Sequence, residues 1–107
     1  MARARIAIPR TVRRGDVIEI KTLITHPMET GFRMDSMGAR IPRNIITDFS
    51  CRFRGEVVFA AKLQPGIAAN PYLTFFLRVQ GDGVLEFNWT GQNDFTWSEA
   101  RELRVSS

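Results

Sequence analysis

The chain has little of what enzymes and disulfide-rich domains depend on. Its 107 residues include one Cys and one His, so it cannot form an internal disulfide, and any Cys–His nucleophilic pair would have to join Cys51 to His26. It has no run of 18 apolar residues, which excludes a transmembrane helix. Phosphate-binding glycine motifs and zinc-binding cysteine motifs are also missing. We therefore expect no enzymatic activity, no cofactor and no membrane association.

Lysine is scarce as well, since Lys21 and Lys62 are the only two and arginine supplies the rest of the positive charge. The net charge of +4 and the pI near 10.2 suit nucleic acid, an anionic surface or an acidic protein partner. The basic residues are scattered, apart from an N-terminal group. Around Phe53 aromatics alternate with arginine, but Phe53 is predicted to point inward and so offers no stacking platform. This argues against nucleic acid and favours a protein partner.

Hydrophobic residues make up 44% of the chain, a normal share for one globular domain, which we place at residues 1–107. Alternation of period two is clear in two segments and is typical of half-buried strands. The inward sets are Ile18, Ile20, Thr22 and Ile24 in the first segment and Ile45, Phe49, Cys51 and Phe53 in the second. The same pattern predicts strands over 4–9, 16–25, 45–53, 57–63, 72–79, 84–90 and 95–105.

These strands predict an all-β fold, an immunoglobulin-like antiparallel β-sandwich of about seven strands. Residues 53–57 and 81–83 read as hairpin turns, with Val57 on the inward face of the strand that follows the first turn. Without an inter-sheet disulfide, the core must depend on aromatic burial. The main candidates are Phe49, Phe53, Phe59, Phe75, Phe87 and Trp89.

Two irregular segments, residues 26–44 and 64–71, combine apolar residues with arginine. Met, aromatic residues and Arg are enriched in the cores of protein interfaces, and a long irregular loop is usually functional. The alternative is that these loops fold over an open end of the sandwich and bury their own apolar groups. The candidate partner-binding residues are His26, Met28, Arg33, Met34, Met37, Arg40, Ile41, Arg43, Ile67 and Tyr72.

Reactive chemistry has few candidates. Cys51 lies between two phenylalanines on an apolar face, as an inert core thiol does. A soft copper site could be drawn from Cys51, His26 and nearby methionines, but their spacing fixes no geometry. We therefore predict no metal site and interpret His26, which precedes a proline, as a hydrogen-bond partner that orients the loop.

Four separated motifs occur in the order found in one known family. They are HPMETG from His26, IPRNII from Ile41, Phe49-Ser50-Cys51 and IAANPYLTF from Ile67, and together they resemble SoxZ. The resemblance implies the sandwich fold and a non-catalytic subunit that pairs with SoxY as a heterodimer in bacterial thiosulfate oxidation. SoxY carries the sulfur intermediates on a cysteine in a Gly-rich C-terminal segment, whereas this chain ends in ARELRVSS. Its implied role is to complete the carrier and to make transient contacts with the other Sox enzymes.

The resemblance also implies a periplasmic location, reached by export with SoxY on SoxY's own signal. The basic N-terminus, MARARIAIPR, has no apolar signal region and by itself would suggest the cytoplasm. An isolated chain could also homodimerise through its vacant surface. The competing hypothesis is a stand-alone β-sandwich adaptor or periplasmic metal chaperone that uses the same loops.

Overall fold

A computed structural model describes residues 3–26, 28, 31–63 and 70–106 of the chain. This part of the chain forms seven antiparallel strands in two sheets and confirms the predicted all-β sandwich. The strands are β1 (Ala4–Ala7), β2 (Val17–Ile24), β3 (Ile46–Phe53), β4 (Glu56–Lys62), β5 (Tyr72–Arg78), β6 (Gly83–Gly91) and β7 (Thr96–Leu103). The described residues contain no helix capable of crossing a membrane.

The three-stranded sheet has the order β1-β2-β5, and the four-stranded sheet has the order β4-β3-β6-β7. A two-residue turn places β4 beside β3, because Arg54 and Gly55 both adopt positive φ, 55° and 82°. Two such residues make the tight turn whose twist matches that of the flanking strands. As a result, the fourth strand joins β3, β6 and β7, whereas in a constant-type immunoglobulin domain it joins the opposite sheet.

One end of the sandwich collects the irregular segments. Strand register places the end of β2 against the start of β5, with Leu23 opposite Tyr72. In the other sheet, Ile46 at the start of β3 lies opposite Gly91 at the end of β6. The described residues 25, 26, 28, 31–45, 63, 70, 71 and 91–95 therefore lie at the same end, which we call the loop end. The described parts of the two segments predicted to carry function are therefore neighbours, since His26 and Asn70 are bonded to each other.

The core between the sheets is aromatic, as predicted. The ring of Phe49 lies 5.1 Å from that of Trp89 and 6.1 Å from those of Phe59 and Phe75. Phe59 and Phe75 stack with their centroids 4.4 Å apart and so join the two sheets. Each fully buried side chain of this size contributes roughly 1.5–3 kcal/mol, so these rings can hold the sheets together without a disulfide. Phe53 and Phe87 are also buried, whereas Phe59 is only partly so.

Two local predictions were wrong. Val57 was predicted to point inward but is exposed, because β4 carries one extra residue opposite β3: Cys51 pairs with Phe59, and Arg52 pairs with Val57. This bulge brings Val58 against the core and turns Val57 outward. Residues 81–83 were predicted to form a hairpin, yet β5 and β6 belong to different sheets. The segment is instead a crossover between the sheets.

Candidate partner-binding surface

The segment that begins at His26 is fastened to the next irregular segment by its first residue. The His26 backbone N–H donates to Oδ1 of Asn70 at 2.8 Å, and the Asn70 N–H donates to the His26 carbonyl at 2.7 Å. Asn70 adopts a left-handed φ of 56°, a conformation that asparagine tolerates better than most residues. This pair of bonds ties the two segments together at the loop end.

The His26 side chain is buried and has a structural task. Its ring packs edge-on against Phe95, with centroids 4.9 Å apart, and its Nδ1 accepts the backbone N–H of Met28 at 3.0 Å. Burial lowers the pKa of His26 because the charged imidazolium would lose its hydration. Since Nδ1 accepts a hydrogen bond, the ring is neutral with its proton on Nε2. His26 therefore orients the loop, as the sequence predicted.

Met28 completes this base. Its side chain is buried, and its sulfur accepts the backbone N–H of Ile46 at 3.3 Å. Its φ of 52° is unfavourable for a residue with a Cβ and is held by the contacts at both ends of the residue. His26 and Met28 thus face the interior, and they shape the loop from below.

Residues 32–41, here called the 32–41 loop, form a small hairpin above this base. Met34 bridges Arg40, and the Ile41 N–H donates to the Arg33 carbonyl at 2.8 Å. The tip is organised by Asp35, whose Oδ1 accepts the N–H groups of Met37 at 2.8 Å and of Ala39 at 3.0 Å. A carboxylate that folds the backbone in this way is typical of tight turns. The loop therefore has a defined shape despite the lack of a regular sequence period.

The side chains of the 32–41 loop are presented to the outside. Phe32, Met34 and Met37 are 78%, 58% and 88% exposed, an unusual exposure for three large apolar residues in one short segment. Arg33, Arg40 and Arg43 are exposed beside them, and Ile41 is half-buried. Methionine adapts to irregular surfaces, and arginine pairs with carboxylates and oxyanions. Residues of these types are enriched in the cores of protein interfaces, which makes the 32–41 loop a candidate binding surface.

The predicted partner-binding residues differ in where the structure places them. The side chains of His26 and Met28 are buried at the base, while Arg33, Met34, Met37, Arg40 and Arg43 are exposed on or beside the 32–41 loop. Tyr72 lies on β5 and is exposed on the outer face of the three-stranded sheet. Ile67 lies outside the described residues. The burial of His26 and Met28 agrees with a loop that covers the open end of the sandwich, whereas the binding role of the exposed residues stays a prediction.

On the three-stranded sheet, sequence reasoning missed two exposed apolar residues, Val17 and Phe76. Both lie on the outer face of the three-stranded sheet, which also carries Tyr72 and Leu23. The signal was present, because these positions occupy the outward phase of their strands, where alternation otherwise places polar residues.

The groups considered for metal binding lie in different environments. Cys51 lies in the core, His26 and Met28 are engaged in hydrogen bonds at the loop base, and Met34 and Met37 point outward on the 32–41 loop. Among the described residues, no three His, Cys, Asp or Glu side chains come close enough to hold a metal ion. Burial raises the pKa of the Cys51 thiol to about 12, so the nucleophilic thiolate is scarce at neutral pH.

Comparison with known proteins places these features in context. The family model described as "Sulphur oxidation protein SoxZ" matches residues 6–102. No curated protein matched the chain. Among solved structures, a superoxide reductase (neelaredoxin) from Ignicoccus hospitalis is 20% identical, with a TM-score of 0.75 over 96% of this chain and 80% of that one. The sulfur carrier protein SoxY from Chlorobium limicola f thiosulfatophilum is 13% identical, with a TM-score of 0.68 over 97% of this chain and 79% of that one. At these identities the likeness establishes the fold alone.

Proposed function

The chain belongs to the SoxZ family of sulphur oxidation proteins, and on that basis we propose that it is the non-catalytic partner of SoxY in a sulfur-carrier complex. In this proposal SoxY holds the sulfur adduct on its cysteine, and this chain supplies the surface that completes the carrier. The chain pairs with SoxY as a heterodimer and makes brief contacts with the enzymes that load, oxidise and release the adduct.

One contrast within the molecule supports a binding role over a catalytic one. The groups with the greatest reactivity, the Cys51 thiol and the His26 imidazole, are buried, and His26 is committed to a backbone hydrogen bond. The groups suited to recognition, namely the apolar side chains of the 32–41 loop and the arginines beside them, are exposed. A partner can therefore reach the binding groups without reaching the reactive ones.

Within this function we assign a finer role to Arg33, Arg40 and Arg43. A carrier cysteine that bears thiosulfonate-type sulfur is anionic, and guanidinium groups pair with such oxygens in a planar, bidentate way. The three arginines line the space that the SoxY carrier segment visits and hold the adduct for the next enzyme.

The proposed place of action is the periplasm, which the chain reaches by export together with SoxY. The buried base at His26 and Met28 suits this route, because a pair that crosses a membrane in the folded state must already have its loops in place.

The proposal is tested by co-expression of the chain with SoxY and reconstitution of thiosulfate oxidation with the remaining Sox proteins. We expect a stable one-to-one complex by size-exclusion chromatography with mass measurement, and turnover that requires both chains. The variant with Arg33, Arg40 and Arg43 all changed to Gln should keep the complex and lose most of the turnover. Full turnover by SoxY alone would contradict the proposed function. Normal turnover by the triple variant with intact pairing would remove only the role of the arginines.

A further inference from the structure

The outer face of the three-stranded sheet is a regular grid of side chains. The buried faces of β2 and β5 contact the core, so the alternate residues of these strands point away from it. The strand register pairs residues across this face, and each pair forms one rung of the grid. Leu23 lies opposite Tyr72, Lys21 opposite Thr74, Glu19 opposite Phe76 and Val17 opposite Arg78, with Arg5 of β1 beside Leu23.

Apolar residues are prominent in this grid. Val17, Tyr72 and Phe76 are 54%, 56% and 65% exposed. Leu23 is half-buried although it does not pack against the core, so neighbouring side chains on the outer face must bury it. We call Val17, Leu23, Tyr72 and Phe76 the apolar outer face.

The other outer face of the same molecule differs. The four-stranded sheet presents polar residues in adjacent strands, such as Ser50, Asn88 and Ser98, of which Ser98 donates to Asn88 at 2.7 Å. Asp48, Arg52, Glu86 and Thr90 continue this pattern. Its exposed large apolar residues lie at the margins, with Val57 on edge strand β4 and Val84 near the start of β6. The outer face of the four-stranded sheet is therefore mainly polar, whereas that of the three-stranded sheet mixes large apolar residues with charged ones.

The apolar outer face has room for a partner. Strand spacings of about 4.8 Å and rungs about 6.8 Å apart give three strands a flat area on the order of 300 Å². A concavity of about 560 Å³ adjoins it along β1, shares Leu23 and Tyr72 with it, and is also lined by Arg5, Lys21 and Arg101. Since a standard interface buries about 800 Å² on each partner, this flat area supplies less than half of one, and the adjoining concavity and loop end would have to contribute the rest.

We infer that this face is where the chain packs against SoxY, sheet on sheet; the inference rests on the proposed function and adds to it the location of the pairing surface. SoxY has the same sandwich fold, so it can offer an equivalent sheet. Two sheets that pack face to face lie about 10 Å apart and interdigitate apolar side chains such as Tyr72 and Phe76.

The charges on this outer face indicate which kind of partner can pack against it. The grid carries three cations, Arg5, Lys21 and Arg78, against one carboxylate, Glu19, which already pairs with Lys21 at 3.5 Å. A second copy of this chain would bring the same surplus of cations onto itself, which is unfavourable across an interface. The chemistry that fits is an apolar sheet face rimmed by carboxylates, and the partner subunit must supply it.

One edge of the four-stranded sheet is less suited to pairing. Edge strand β7 points a charged pair toward the other sheet, with Arg101 Nη1 3.2 Å from Glu99 Oε1. Inward-pointing charges of this kind protect an edge from adding a foreign strand. Packing on a face avoids this obstacle.

The location has a consequence for the carrier. The rung of Leu23 and Tyr72 is the one next to the loop end, where the 32–41 loop emerges. A partner seated on the apolar outer face therefore reaches the loop end as well. Pairing and presentation of the adduct then use adjoining surfaces of this chain.

The experiment uses the co-expressed pair and compares substitutions on the two outer faces. Phe76→Glu places a charge in the apolar outer face, and Tyr72→Ala is a milder change on the same face. Val84→Glu is the matched control on the polar face, and Met37→Ser tests the 32–41 loop. Urea unfolding and circular dichroism of each isolated chain verify folding, and affinity for SoxY is measured by titration.

We expect Phe76→Glu to weaken the complex at least about 100-fold and Tyr72→Ala about 10-fold or more, while Val84→Glu stays within about threefold of wild type.

If wild type pairs with SoxY and folded Phe76→Glu and Tyr72→Ala pair equally well, the inference is wrong and the proposed function stands. Loss of pairing in Met37→Ser alone would move the interface to the 32–41 loop and also overturn it. If the wild-type chain forms a homodimer that Phe76→Glu dissociates, and the affinity for SoxY is unchanged, then this face binds a second copy of the chain and the inference is wrong. Failure of wild type to bind SoxY would refute the proposed function itself.

Discussion

The buried His26 makes the stability of the protein depend on pH in a direction that the structure fixes. In the unfolded chain a histidine titrates near pH 6.5, whereas burial lowers the pKa of His26 in the folded protein. Below about pH 6.5 the unfolded state therefore binds a proton that the folded state does not. The contribution is fully present above that pH and is lost as the pH falls toward the folded-state pKa.

The change in the free energy of unfolding with pH is limited, because only one proton is involved. The free energy of unfolding falls by at most about 1.4 kcal/mol per pH unit, and the fall stops once the folded state also takes up the proton. Protonation at Nδ1 would place a donor against the Met28 N–H, which then loses its acceptor. A buried donor left without a partner costs roughly 1–3 kcal/mol.

Urea unfolding between pH 5.0 and 7.5 measures this directly, since the buried Trp89 reports unfolding by fluorescence. The control is His26→Gln, which removes the titrating group while leaving the carboxylates and the N-terminus unchanged. Wild type should lose stability below pH 6.5 more steeply than the variant, and the difference between the two curves should become constant above pH 7. Parallel curves over the whole range would refute the account of His26 as a buried, neutral acceptor.

Two further predictions concern the core. The Cys51 thiol, whose pKa is raised to about 12, should resist thiol reagents at pH 8 in the folded protein and react in urea; rapid modification of the folded chain would contradict its burial. Phe49→Ala should lower the free energy of unfolding by about 3–5 kcal/mol, because Phe49 contacts rings from both sheets. Phe76→Ala on the surface should change the free energy of unfolding by less than about 0.5 kcal/mol. Equal effects of the two substitutions in denaturant titrations would show that Phe49 is not central to the core.

Strand alternation was enough to predict much of the fold. Ile18, Ile20 and Ile24 point inward as expected, because a strand with one buried face must alternate. Alternation could not reveal the extra residue in β4, since a bulge leaves composition unchanged and alters only the phase, as Val57 shows. Nor could it show that β5 and β6 lie in different sheets, because a short Gly-rich segment serves a hairpin and a crossover equally well.

The candidate surface was predicted only in part. Composition identified the segment from His26 as functional, but it could not separate the buried base from the exposed 32–41 loop, because that division depends on backbone bonds to Asn70 and Ile46. The apolar outer face was missed because its members are far apart in sequence. Only strand pairing brings Leu23 and Tyr72 side by side.

The central claim is that this chain contributes a surface and that its partner carries the sulfur. The most direct test is the intact mass of both chains, taken during thiosulfate turnover by the reconstituted complex. The account predicts sulfur adducts on SoxY and an unmodified mass for this chain, since its Cys51 is buried. An adduct on this chain that appears and decays with turnover would contradict the account.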